Sequence, residues 1–105
     1  NIQWLYATDA GISNISALAA GKTLSRVELN NNSISDLNPI TNLVNVAMLS
    51  LMSNQITDLS ALITLASKGG LSDWVLLQGN PLSEFAQTNQ IPILSNTYGV
   101  TVYWP

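Results

Sequence analysis

Apolar positions along this chain recur with a fixed spacing. From Leu24 they fall at Leu24, Val27 and Leu29, then, past Asn32, at Ile34, Leu37, Ile40 and Leu43. The same order of types returns 22 residues later as Val46, Leu49, Leu51, Asn54, Ile56, Leu59, Leu62 and Leu65. It is also present 22 residues earlier as Ile2, Leu5, Ala7, Ala10, Ile12, Ile15 and Leu18. A fourth unit, Val75, Leu77, Asn80, Leu82 and Phe85, arrives 26 residues after the third, so ASKGGLSD absorbs four extra residues. Within each unit the aliphatic-x-aliphatic step predicts a short strand, and the wider spacing that follows predicts a turn and a return segment. GVTVYW repeats the inward pair as Val100 and Val102 and reads as a closing strand. SEFAQTNQIPILSNTYG, before it, reads as a longer return of helical or mixed character. Its Pro92 argues against one uninterrupted helix.

A unit this short cannot bury its own apolar face, so neighbours must stack and share one core. Each inward Leu, Ile or Val then contributes about 1.5–3 kcal/mol. Where the chain leaves the strand, backbone groups point inward without a ladder partner, and each would cost about 1–3 kcal/mol if left unpaired. An inward asparagine amide both donates and accepts, which suits Asn32, Asn54 and Asn80 to a hydrogen-bonding ladder. The run Asn30-Asn31-Asn32 is therefore two signals: Asn32 faces in, and Asn30 and Asn31 lie on the outer side of the strand end. Asp36 and Asp58 precede return segments and are expected to cap their first turns.

The pattern LxxLxLxxNxI with a second apolar stretch behind it resembles the leucine-rich-repeat family. The 22-residue period and the SDL and TDL turns at Asp36 and Asp58 resemble the bacterial internalin-type class most. The resemblance covers essentially the whole chain. It implies an α/β solenoid, a right-handed superhelix with a parallel β-sheet on its concave face, of about four repeats plus a closing strand. Residues 1–105 then form a single leucine-rich-repeat domain, with repeats near 2–23, 24–45, 46–71 and 72–96 and a closing strand near 99–104. Departures are Ala10 at the asparagine place of the first unit, Ser72 at the first aliphatic place of the fourth, and the four-residue expansion. The strand at Ile2 opens the chain without a polar cap, leaving one side of Ile2, Leu5, Ile12, Ile15 and Leu18 uncovered. The expectation is a C-terminal piece of a longer array, or self-association through that uncapped first repeat.

Charged residues make up only 9% of the chain, and the net charge is −3, which removes the electrostatic footprint for nucleic acid or anionic membrane. No apolar run is long enough for a membrane span. With no Cys and no His, thiol nucleophiles, His-based triads and zinc clusters are excluded within this chain. AAGKT at 19–23 lacks the earlier glycine of a phosphate-binding loop, since Ser16 occupies its place. The carboxylates Asp9, Glu28, Asp36, Asp58, Asp73 and Glu84 read as solvated charges and turn caps, and Glu28 and Asp73 lie two units apart. DLNP and DLS lack the ligand density of a calcium loop, so no catalytic, metal or cofactor site is expected. The sequons at Asn14 and Asn31 matter only in a glycosylating host.

Function is then expected on the outward strand positions. One column reads Trp4, Arg26, Met48, Trp74; the next reads Tyr6, Glu28, Ser50, Leu76, with Met52 beyond. Aromatics, Met and Arg are enriched in interface cores and have no folding reason to sit outward on a strand. Set against this, single surface aromatics are common, an adjoining domain would cover Met48 and Met52, Trp104 could cap the core, and Arg26–Glu28 could be a surface pair of little worth. The partner-binding candidates are Trp4, Tyr6, Arg26, Glu28, Met48, Met52, Trp74 and Leu76. Leucine-rich repeats mostly bind proteins, and internalin-type ones are typically bacterial surface proteins. The resemblance therefore implies a non-enzymatic, extracellular or cell-surface module. A protein is the first partner to consider and carbohydrate the second; the alternative is a structural protein stacking into a layer or filament.

Overall fold

The computed structural model describes residues 3–105, so Ile2 of the proposed uncovered layer lies outside the described residues. Five three-residue strands, β1 (Trp4–Tyr6), β2 (Arg26–Glu28), β3 (Met48–Ser50), β4 (Trp74–Leu76) and β5 (Thr101–Tyr103), form one parallel sheet in sequence order. Their central residues, Leu5, Val27, Leu49, Val75 and Val102, stand in one row facing the core. Strands stay this short because each coil must turn back after one inward pair. Backbone bonding nevertheless continues past them, through Leu29 N–H to Ser50 O (2.9 Å) and Asn31 N–H to Met52 O (2.9 Å).

The returns differ from coil to coil. Ser16–Ala20 and Asn38–Ile40 are single 3₁₀ turns. The third return has four more residues and winds them into the helix α1 (Ser60–Ser67), whose Ala61, Leu62, Leu65 and Ala66 form its buried stripe. The helix stops in a Schellman turn, in which Gly70 N–H donates to Leu65 O and Gly69 N–H to Ala66 O, both at 3.0 Å. That turn needs φ +98° at Gly69, which an L side chain resists. Leu71 follows at φ +52°, wholly buried, donating its N–H to Val46 O at 2.7 Å, while Ser72 is exposed. The missing aliphatic of the fourth unit is thus supplied one residue early, through a left-handed backbone.

The last return corrects a sequence-based expectation. Helical winding runs over 84–97, mostly with π-type bonding over Ala86–Gln90 and Ile93–Thr97, and Pro92 keeps helical dihedrals (φ −59°, ψ −35°) within it. Proline cannot donate to the helix, and the widened turns on either side accommodate the interruption without breaking the path.

Both capping aspartates act one residue earlier than a helix N-cap. Asp36 Oδ1 accepts from Asn38 N–H at 2.9 Å, and Asp58 Oδ2 from Ser60 N–H at 3.0 Å and from the Ser60 hydroxyl. These are Asx turns that hold the chain at the entry to the return. Asp58 Oδ1 also accepts from Gln90 Nε2 at 2.9 Å, while Gln90 Oε1 accepts from Leu59 N–H at 2.8 Å. Gln90 is buried and ties the last return to the third, a strap no pattern in the sequence signals.

Candidate functional site

The asparagine places hold the turns from inside. Asn32 Oδ1 accepts from Ala10 and Ile12 N–H (both 3.0 Å), and its Nδ2 donates to Ala7 O (2.9 Å) and Leu29 O (3.0 Å). Asn54 accepts from Ile34 N–H (3.1 Å) and donates to Leu29 O (2.9 Å) and Leu51 O (3.1 Å). Asn80 accepts from Ile56 N–H (3.1 Å) and Asn54 N–H (3.2 Å) and donates to Leu51 O (2.8 Å) and Leu77 O (3.0 Å). Each amide therefore spans two successive coils.

The residue before each asparagine place is left-handed: Asp9 (φ 58°), Asn31 (φ 58°), Ser53 (φ 57°) and Gly79 (φ 80°). Asp, Asn and Gly adopt this conformation most readily, so Asn31 is a conformational choice and not merely an outward polar residue. Asn30 has a third role. Its Oδ1 accepts from Ser50 Oγ (2.7 Å) and Met52 N–H (2.8 Å), clasping β2 to β3.

With the turns fixed, the outward side chains align. Register places Trp4, Arg26, Met48, Trp74 and Thr101 in one row and Tyr6, Glu28, Ser50, Leu76 and Tyr103 in the next. Trp4 is 62% exposed, Tyr6 53% and Tyr103 47%. Arg26, Glu28, Met48, Met52, Trp74 and Leu76 are half-buried. Ser50, an outward position, is only 1% exposed, so it forms the covered floor of its row and is not offered to a partner.

Arg26 organises the centre. Its Nε donates to Glu28 Oε2 at 2.9 Å, the surface pair read from the sequence. Its guanidinium carbon also lies 6.0 Å from the centre of the Tyr6 ring and 5.6 Å from that of Trp74. Trp74 is two strands away, so the cation and the ring meet across the strand that carries Met48. An exposed ion pair contributes about 0–1 kcal/mol and an exposed cation–π contact about 0.5–1 kcal/mol. Together they hold the cation and both rings in place more than they stabilise the fold.

Beside β1 the first coil is less covered than the others. Leu5, Ala7, Ile12 and Leu18 are only partly buried, whereas Ile15 is buried, which removes it from the expected exposed set. Two apolar hollows of about 300 and 240 Å³ open there, sharing Leu5, Ala17 and Leu18 in their linings. Among the described residues no helix is long and apolar enough to cross a membrane, and no group of three or more carboxylates is placed to hold a metal ion.

No protein-family model matches the sequence, and no curated protein matches it. Solved structures do. An internalin (inlF) from Listeria monocytogenes superposes with a TM-score of 0.79 at 27% identity, over 99% of this chain and 30% of that one. An internalin C2 (inlC2) from the same species superposes with a TM-score of 0.71 at 22% identity, over 99% of this chain and 52% of that one. The chain thus spans about a third of the first internalin and about half of the second. With one parallel sheet in sequence order and asparagine amides bridging successive coils, the chain has a leucine-rich-repeat solenoid fold, similar to that of the internalins.

Proposed function

We propose that this chain is a non-enzymatic recognition module of a secreted or cell-surface protein, binding a protein partner through the outer face of its sheet. The observation that carries this reading is the aligned row Trp4, Arg26, Met48 and Trp74, flanked by Tyr6 and Leu76 and gathered by the Arg26 ring contacts. Clustered aromatics around an arginine are the usual composition of an energetically dominant interface centre. The internalin-type resemblance supports that location, as does a surface that relies on Asn, Ser and Thr rather than charge.

The test is a binding screen of the immobilised chain against receptor ectodomains and, in parallel, a glycan array. A protein partner should be captured by the native chain and lost with Trp74→Arg, at unchanged melting temperature. Capture that survives Trp74→Arg and Met48→Arg alike moves the binding surface elsewhere, and hits confined to glycans replace the protein partner with carbohydrate.

End-to-end stacking of copies is the second reading, favoured by the apolar hollows around Leu5 and Leu18. Sedimentation velocity across a wide concentration range separates the two: polymers growing with concentration support stacking, and one small species at every concentration removes it.

A further inference from the structure

Arginine carries five N–H donors in a planar fork. In Arg26 only Nε is hydrogen-bonded, to Glu28, so the four donors on the two Nη atoms have no hydrogen-bond partner among the described residues. The guanidinium is nevertheless held, by Glu28 on one edge and by the rings of Tyr6 and Trp74. Fixing it removes much of the ordering cost a free arginine would bear on binding. A partner's apolar group settling on Trp74 and Met48 would exclude water from the same spot, which strengthens any charged bond made there.

Building on the proposed protein-recognition face, we infer that Arg26 is the receptor for a single carboxylate side chain of the partner, presented beside an apolar side chain that lies on Trp74 and Met48. The free Nη edge matches the two oxygens of a carboxylate in bidentate geometry. A polyanion does not fit. Among the paired strand residues Arg26 is the only cation, and the carboxylate of Glu28 stands beside it. A neutral glycan does not need a cation clamped between rings.

The probes are 3-phenylpropanoate, which joins a carboxylate to an aromatic group, and its neutral amide, titrated into ¹⁵N-labelled protein at pH 7. The Arg26 Nε–H and Trp74 indole N–H resonances report the site. The acid should bind about fivefold more tightly than the amide, the difference expected between charged and neutral hydrogen bonds. Arg26→Gln, with its fold verified by the rest of the spectrum, should abolish that preference and leave the ring resonances responsive to both compounds. Equal affinity for acid and amide in the native chain overturns the inference, as does a preference that survives Arg26→Gln. Equal affinity with responsive rings would overturn the carboxylate receptor alone and leave the recognition face standing. Absence of any response on the face, or a stronger response at the same resonances to the neutral glucan cellopentaose, also overturns it.

Discussion

Asn54→Ala tests the account of the inner turns most directly. Asn54 is 1% exposed and its amide makes three short bonds to backbone groups. Their loss is unequal. Leu29 O keeps a donor in Asn32 Nδ2, and Leu51 O keeps one in Asn80 Nδ2. Ile34 N–H, donating to Asn54 Oδ1 beside a fully buried side chain, keeps none. An orphaned buried N–H costs about 1–3 kcal/mol, and each of the two carbonyl bonds lost from a still-satisfied acceptor about 0.5–1.5 kcal/mol. The expected destabilisation is therefore about 2–6 kcal/mol, a large share of the 5–15 kcal/mol typical of a domain. Urea unfolding followed by circular dichroism measures it, with an unchanged slope as the sign that the two end states are the same. Asn45→Ala is the control, because its amide bonds Lys22 O at the exposed surface and should change stability by less than about 0.5 kcal/mol. A loss under about 1 kcal/mol for Asn54→Ala would mean that water or a shifted backbone satisfies Ile34, and the ladder argument would fail.

Three further outcomes are expected. The Ser60 hydroxyl, then the Gln90 amide, hold the Asp58 carboxyl below its ordinary value; burial opposes them, and the Ser60 N–H adds the least. A depressed folded-state value stabilises above the unfolded pKa of about 3.9 and is lost as pH falls through the lowered one; acid titration of stability should show this below about pH 4 and Asp58→Asn should flatten it. Gly79→Ala should destabilise by about 1–2 kcal/mol, because φ is +80° and the added Cβ would lie 2.9 Å from Ser53 Oγ; a double-mutant cycle with Ser53→Gly should recover part of it. Ala10→Asn should raise the melting temperature, by about 0.5–1 kcal/mol of stability, since the new Nδ2 would meet Ala7 O as the other amides meet the carbonyl three residues back.

Much of this was legible because a repeat states each rule several times. The strand rows follow from spacing alone, so Trp4, Arg26, Met48 and Trp74 could be aligned from sequence. What escaped was set by contacts between coils. Gln90 is an ordinary polar residue in a helical stretch until its amide meets Asp58 and Leu59 across the layer boundary. Ser50 occupies an outward place, and only the side chains around it, Asn30 included, decide that it is covered. Leu71 takes the place assigned to Ser72 because the helix end throws the backbone left-handed there, which spacing does not reveal. The left-handed positions were hidden differently: Asp9, Asn31 and Gly79 carry the right chemistry, but Ser53 blurs the column.

The third return shows what the coils demand of one another. It is four residues longer than those before it, yet Met48 still pairs with Trp74, and Asn80 still bonds the coil below it. Front and back of each coil are therefore separately editable. The four residues near Lys68 leave the Met48–Trp74 register intact, so a label or loop inserted there is expected to report on the protein without disturbing the sheet. A longer return therefore changes the back of the coil and leaves the strand rows in register.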